Sequence, residues 1–305
     1  MDKPKAKKVY PSNYIPPIYL VTLSTDNNNA LENWKHGAKI LGYNYTILGL
    51  GMKWGGWSFR TKEYIKYIRT LPDNALVILV DGNDILFVRG PEQIWKSFKK
   101  IGKPLVFGGE VSCCTGKYAN PLAGGGKGKR SYAVEEIHRR NPPTRYCFPN
   151  AGCIVGWKKE LLSALEIVKE ENDDQAGHLE QYLKNSDYLT IDWGHDIVGN
   201  VNKVGVLWCV DCTILDDLHT KEMTYWEKKN AKETIGGDKL IKTYNVYQNK
   251  ITGGIPCILH FAGKNIYGYN HMGAYLYGAA FRPIEIPVKQ SVGKTALLGI
   301  SQIWK

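Results

Sequence analysis

The sequence predicts an α/β protein whose mostly parallel sheet is flanked by helices on both faces. Two observations carry this expectation. Short continuous apolar runs, Ile18–Leu23 (IYLVTL) and Ala75–Val80 (ALVILV), have the character of strands buried on both faces. Between such runs lie stretches of helical length, and strands alternating with helices argue for a parallel sheet with helical crossovers.

The elements follow in order. Ile18–Leu23 is the first strand, Ala30–Ile40 a helix closed by Gly42, and Tyr43–Leu50 the second strand, which gives a βαβ opening. A glycine-rich turn (Gly49, Gly51, Gly55, Gly56) carrying Trp54 and Trp57 leads into a helix near Thr61–Leu71, then the strand Ala75–Val80. Pro91–Lys99 reads as a helix with proline in its first turn, and Pro104–Phe107 as a strand ending at Gly108-Gly109-Glu110. Residues 113–130, rich in glycine and lysine, read as a flexible surface loop. Asn150–Gly156 reads as a short strand, Lys158–Glu171 as a helix and Gly177–Lys184 as another short helix.

This pattern divides the chain into a basic lead (1–16), one domain (17–285) with a charged insertion near 209–244, and a tail (286–305). Apolar residues of the tail, Ala296 to Ile300 with Ile303 and Trp304, are expected to pack on the body or on a partner. The 305 residues are 43% hydrophobic, ample for a sizeable core. No apolar run approaches the ~20 residues of a membrane-spanning helix, and the basic N-terminus lacks the apolar region of a signal peptide. The default expectation is therefore a cytoplasmic protein without a membrane span. The formal charge of +11 is scattered apart from KPKAKK near the start, which reads as a solvated basic surface rather than a nucleic-acid stripe. Seven cysteines are too few for a disulfide scaffold, and the lone Cys209/Cys212 pair is a weak zinc signal, so buried free thiols are expected.

Two motifs carry chemistry. In Leu79-Val80-Asp81-Gly82-Asn83-Asp84 a carboxylate pair stands where an apolar strand stops, at the strand end where open α/β sheets bind ligands. Two such carboxylates suit Mg²⁺ or Mn²⁺, ions that favour oxygen ligands and bridge to phosphates. The same residue types also build turns, so the pair alone supports either reading. In Ile258-Leu259-His260-Phe261-Ala262-Gly263-Lys264 a strand delivers a histidine followed by Gly and Lys. A neutral imidazole completes a metal shell, glycine lets backbone approach a phosphate, and lysine supplies a point charge. A lone histidine after a strand is more often structural.

From about residue 17 to 275 the sequence resembles the glycosyltransferase domain of the procollagen lysyl hydroxylases, a family that elaborates hydroxylysine in collagen. The resemblance rests on Asp81 and Asp84 as an Asp-x-x-Asp motif and on His260 with Gly263 as a late His-x-x-Gly. Gly51-Met-Lys-Trp54-Gly-Gly56 precedes them, and between them lie Leu105-Val-Phe-Gly-Gly-Glu110, Phe148-Pro-Asn150-Ala-Gly152-Cys-Ile-Val-Gly156, the acidic run Glu171 to Gln175 and the segment Ile191-Asp192 to Asn200. Glu180-Gln181 is an alternative counterpart for the acidic run. The resemblance implies a GT-A-like (Rossmann-like) fold, a metal site of Asp81, Asp84 and His260 holding Mn²⁺ (or Mg²⁺), and a UDP-sugar donor near Trp54, Val80, Asn83, Gly263 and Lys264. Glu110, Asp173, Asp174, Asp192 and Glu180 are the candidate catalytic carboxylates, able to orient sugar hydroxyls, stabilise an oxocarbenium ion or accept a proton. Asn83 and Cys114 depart from the family's aromatic positions, which bears on donor and acceptor preference. The implied function is hexose transfer, glucose or galactose, to a hydroxyl of a protein or glycan, with hydroxylysine or galactosyl-hydroxylysine of a collagen-like protein as the implied acceptor. A homo-oligomer is compatible with the sequence.

Other classes fit less well. A metal-dependent nuclease lacks a nucleic-acid motif. A nucleotide hydrolase lacks the phosphate loop, because neither Gly128-Lys129 nor Gly293-Lys294-Thr295 has the required upstream glycine. A catalytically silent nucleotide-sugar-binding protein shares the fold and differs only in turnover.

Overall fold

A computed structural model describes residues 14–111, 113, 127–184, 187–201, 212–215, 246–249, 251–262 and 266–284. Its centre is a six-stranded sheet built from β1 (Ile18–Leu23), β2 (Tyr45–Leu48), β3 (Leu76–Val80), β5 (Leu105–Glu110), β6 (Phe148–Trp157) and β7 (Leu189–Asp192), with β4 (Ile85–Phe87) lying elsewhere. The spatial order is β2-β1-β3-β6-β5-β7. β1 pairs in parallel with β2 and β3, and β5 with β7, while β6 runs antiparallel between β3 and β5. Five strands thus point one way and one the other, the mostly parallel sheet the sequence predicts.

Successive strand residues face opposite sides of a sheet, so β1 and β3 feed two cores. On one side Leu20, Ile78 and Val80 meet Leu31 and Trp34 of α1 (Asn29–Ile40) and Ile94, Trp95 and Phe98 of α3 (Pro91–Ile101). On the other, Val21, Leu23, Val77 and Leu79 meet Tyr64, Ile65 and Ile68 of α2 (Gly56–Arg69) and Leu161, Ala164 and Leu165 of α5 (Lys158–Val168). Helix ends follow local chemistry. The Asn28 side chain accepts from the Leu31 amide at the start of α1, and Pro91 opens α3, which Gly102 closes at φ +72°.

Several boundaries differ from the sequence expectation. α2 starts at Gly56, so Trp57 belongs to the helix, and β5 continues as strand through Gly108-Gly109-Glu110 because those residues pair with the start of β6. β6 is a ten-residue strand with a register shift opposite Phe107/Gly108. α4 (Lys127–Arg139) occupies the end of the stretch expected to be loop, and the remainder of that stretch, apart from Cys113, lies outside the described residues. A further helix, α6 (Asp174–Lys184), starts three residues before its expected position, its first turn capped by Asp173.

A second sheet packs beside the first. Its order is β4, β11 (Ile258–His260), β8 (Val198–Asn200), with β11 antiparallel to β4 and parallel to β8. β9 (Cys212–Leu215) and β10 (Val246–Asn249) pair antiparallel at the two ends of the expected insertion. α7 (Ile266–Tyr277) follows, and the Tyr277 hydroxyl accepts from the Phe87 amide of β4 at 2.8 Å. The basic lead to residue 13, most of the insertion and the apolar tail lie outside the described residues. Among the described residues the cysteines Cys113, Cys147, Cys153 and Cys257 are buried free thiols, and no helix is long and apolar enough to cross a membrane.

The small sheet approaches the large one closely at Gly108, where a Cβ would lie 2.8 Å from Val198 Cγ1 and 3.0 Å from Asn200 Nδ2. Replacing Gly108 with valine forces β8 away from β5, and overpacking of this kind costs about 1–3 kcal/mol. A urea unfolding curve of Gly108→Val is expected to show that loss as a lower midpoint at unchanged slope.

Candidate functional site

The acidic pair sits where the chain crosses between sheets. β3 ends at Val80, Asp81-Gly82-Asn83-Asp84 makes the crossing, and β4 begins at Ile85. The register of the small sheet sets Ile85 opposite His260, and the Phe261 amide donates to the Asp84 carbonyl at 2.9 Å. This brings His260 Nε2 to 3.5 Å from Asp84 Oδ2 and 3.7 Å from Asp81 Oδ2. One ligand atom from each of the three residues lies within 4.8 Å of the others. The imidazole is buried, whereas the two carboxylates are each about 30% exposed. The cluster therefore has a rigid floor and an open side.

β6 makes room for it. The Asp81 amide donates to the Gly152 carbonyl at 3.0 Å, and a Cβ on Gly152 would stand 2.7 Å from Asp81 Oδ2 and 2.8 Å from His260 Nε2. Only a residue without a side chain fits beneath Asp81 and His260. Asn150 Oδ1 accepts the Gly152 amide at 2.8 Å and holds this irregular part of the strand.

Further side chains brace the cluster. Asn200 Oδ1 lies 2.7 Å from His260 Nδ1, and Asn200 Nδ2 donates to the Gly109 carbonyl at 2.8 Å. Arg60 of α2, 6% exposed, donates to Asp81 Oδ1 at 2.6 Å and to Asp174 Oδ2 at 2.5 Å. The Trp57 ring lies against its guanidinium, 4.4 Å from centroid to Cζ. Gln175, next along, accepts from the Ala151 amide at 3.0 Å and donates to Glu110 Oε2 at 3.4 Å.

Charge follows this geometry. Burial disfavours a proton on His260, but the neighbouring Asp84 and Asp81 outweigh it and push the imidazole up to about 9. Burial raises the Asp81 carboxyl, with Arg60 opposing. Burial also opposes the Arg60 charge, yet Asp174 and Asp81 hold the guanidinium above its ordinary value.

A divalent cation fits these residues. Asp84 Oδ1 is buried without a hydrogen-bond partner, Gly152 leaves the space clear, and two carboxylate oxygens with one imidazole nitrogen are donors that Mn²⁺ accepts readily. Three protein donors also leave positions open for substrate oxygens.

The remaining candidates are dispersed. Glu110 is buried at the end of β5, within electrostatic reach of His260. Asp174 is engaged by Arg60, and Asp173 accepts the Ala176 amide at 3.0 Å. Asp192 is buried at the end of β7 and accepts the amides of Asp196, Ile197 and Val198 at 2.9, 2.7 and 2.9 Å, and burial still lifts its carboxyl to about 6. These bonds occupy both its oxygens with the turn leading to β8. Glu180 lies 3.8 Å from Lys184 on α6. Trp54 is 45% exposed and meets Trp57 edge-on at 5.3 Å. Val80 is buried as the last residue of β3, and Asn83 is exposed, its Oδ1 accepting from Asn28 at 3.1 Å. Gly263, Lys264 and Cys114 lie outside the described residues. The sequence reading passed over Arg60 and gave Asn200 no role. One basic residue among several in a helix gives no signal, whereas Asn200 follows the apolar pair Ile197-Val198 after one glycine, a weaker form of the way His260 ends Ile258-Leu259.

With this architecture and site in view, the chain can be set beside known proteins. Residues 15–120 match the family described as PLOD GT domain. A Caenorhabditis elegans multifunctional procollagen lysine hydroxylase and glycosyltransferase is 26% identical over 280 residues, covering 86% of this chain and 32% of that protein. A Drosophila melanogaster procollagen-lysine,2-oxoglutarate 5-dioxygenase is 20% identical over 276 residues, 87% of this chain and 33% of that protein. The chain thus spans about a third of the length of these relatives. Among solved structures, a glycosyltransferase involved in glycosylation of the major capsid of PBCV-1 aligns over 86% of this chain and 99% of its own, at 9% identity and a TM-score of 0.41.

Two consequences are measurable. Arg60 is buried between two carboxylates, and removing one partner of a buried ionic cluster costs about 3–5 kcal/mol. Arg60→Met is expected to lose that much in urea unfolding, and a change under 1 kcal/mol, roughly the worth of a surface pair, contradicts the burial. In chelator, the raised His260 value adds stability that is complete below its ordinary 6.5 and is lost as pH rises through about 9. The urea midpoint of the metal-free protein is expected to fall across that window, and His260→Gln is expected to flatten the fall.

Proposed function

We propose that this domain transfers a hexose, glucose or galactose, from a UDP-sugar to a hydroxyl acceptor, with Asp81, Asp84 and His260 holding Mn²⁺. The observation that carries the reading is the convergence of these three side chains, from two segments far apart in sequence, at the carboxyl end of β3. The bound cation would offset the charge developing on the diphosphate leaving group as the bond to the anomeric carbon breaks.

The chain's own residues do the rest. The side chains of Asp81 and Asp84 stay about 30% exposed, which leaves the cluster a side that a diphosphate can approach from solvent to meet the cation. Lys264 supplies a further positive charge for that diphosphate, and the exposed Trp54 offers a ring face on which the nucleoside can stack. Glu110 is favoured among the acids to face the transferred sugar, because it lies within electrostatic reach of His260 at the end of β5. The acceptor proposed is hydroxylysine or galactosyl-hydroxylysine of a collagen-like protein, by analogy with the relatives named above.

Slow hydrolysis of one UDP-hexose without acceptor is the expected signature, since water can take the place of the acceptor hydroxyl. A panel of UDP-sugars with Mn²⁺ or chelator, on the wild type and Asp84→Ala, tests it. Turnover is expected only in the wild type with Mn²⁺; equal turnover in chelator, or in Asp84→Ala, overturns the assigned site.

A further inference from the structure

We infer that Asn200 is a positioning residue that fixes His260 in the tautomer able to ligate a divalent cation, an inference that rests on the cation site proposed above. The argument starts from backbone groups whose hydrogen-bonding roles admit no choice. The amides of Ile251 and Thr252 donate to Asn249 Oδ1 at 2.9 and 3.2 Å, so Asn249 must turn its NH₂ toward His195 Nδ1, 2.9 Å away. His195 Nδ1 then accepts, and its Nε2–H donates to the Gly109 carbonyl at 3.1 Å. That carbonyl accepts a second bond, 2.8 Å from Asn200 Nδ2, which fixes the Asn200 amide with its oxygen toward His260. At 2.7 Å, His260 Nδ1 must carry a proton to donate to that oxygen. The other ring nitrogen, Nε2, is the one that faces Asp81 and Asp84, and there a cation takes the lone pair.

The two arms of the network converge on the Gly109 carbonyl, and each has one consistent assignment of donors and acceptors. Every member is buried: Asn249 0%, His195 1%, Asn200 7% and His260 2% exposed. Water has little access to supply an alternative partner, and a swap of any one donor for an acceptor leaves a mismatch. A purely architectural Asn200 would need only its bond to Gly109. The second bond, to the ring nitrogen remote from the carboxylates, is the kind of outer contact that orients a metal-bound histidine.

The test uses Mn²⁺ alone, without sugar nucleotide, with free Mn²⁺ read by electron paramagnetic resonance. Wild type, Asp84→Ala, Asn200→Leu and Asn200→Asp are compared, and their folding is checked by circular dichroism. Loss of such an outer partner costs about 10- to 100-fold in metal affinity, and that drop is expected for Asn200→Leu. Asn200→Asp keeps an acceptor opposite Nδ1 while losing the bond to the Gly109 carbonyl, and is expected to bind more tightly than Asn200→Leu. Asn200→Leu binding as the wild type does, or Asn200→Asp binding no more tightly than Asn200→Leu, overturns the inference. If the leucine variant does not fold, Asn200→Ala takes its place in the comparison. Loss of binding in Asp84→Ala with none in Asn200→Leu sinks only the role of Asn200, whereas equal binding by wild type and Asp84→Ala sinks the cation site and this inference together.

Discussion

The candidate site depends on one crossing, the passage of the chain from the large sheet at Val80 to the small sheet at Ile85. A strand end in an α/β sheet frees backbone and side chains from ladder pairing, and here the freed residues include two carboxylates. Left there alone, two carboxylates near each other repel. The small sheet resolves this by seating His260 opposite Ile85 and directing its ring between them, while Arg60 compensates Asp81 from the other side. The glycine at 152, the irregular register of β6 and the close approach of Gly108 to β8 all follow from fitting these groups into one volume.

Burial divides the acids of the site by task. Asp81 and Asp84 stay partly exposed, which lowers the cost of their charge and leaves the cluster an open side. Asp174 and Asp192 are taken out of solvent and each is given donors, a guanidinium in one case and three amides in the other. These two shape the site through what they hold: Asp174 positions Arg60, and Asp192 anchors the turn that aims β8.

Much of this was legible in the sequence, and the limits have physical causes. The strands and the acidic pair were readable because a fully apolar run ending in Asp-x-x-Asp is a local pattern, complete within a few residues. His260 stood out at the end of a short apolar run, but only the family resemblance joined it to the acidic pair. Arg60 was not readable, because nothing in α2 distinguishes a cation that turns inward to Asp81 and Asp174 from Lys62 or Lys66 on the same helix. Nor does an aspartate reveal from its neighbours whether it will cap a helix, as Asp173 does, or brace a turn, as Asp192 does. The antiparallel direction of β6 also escaped, since an apolar run carries no sign of which way it will point. Where the loop expected at 113–130 gave way to helix from Lys127, a lysine- and glycine-rich composition had masked the helix start.

The small sheet gathers β4, β8 and β11, one strand from the first third of the chain and two from much later. In kinetic terms its contacts belong to the class of greatest sequence separation, whose loop-closure entropy must be met before any pairing rewards it. The segment that carries Asp81 and Asp84 is complete early along the chain, but the histidine that joins them enters with the last strand. A nascent or truncated chain ending before residue 258 can hold the βαβ scaffold and its acidic loop, yet it has no closed site.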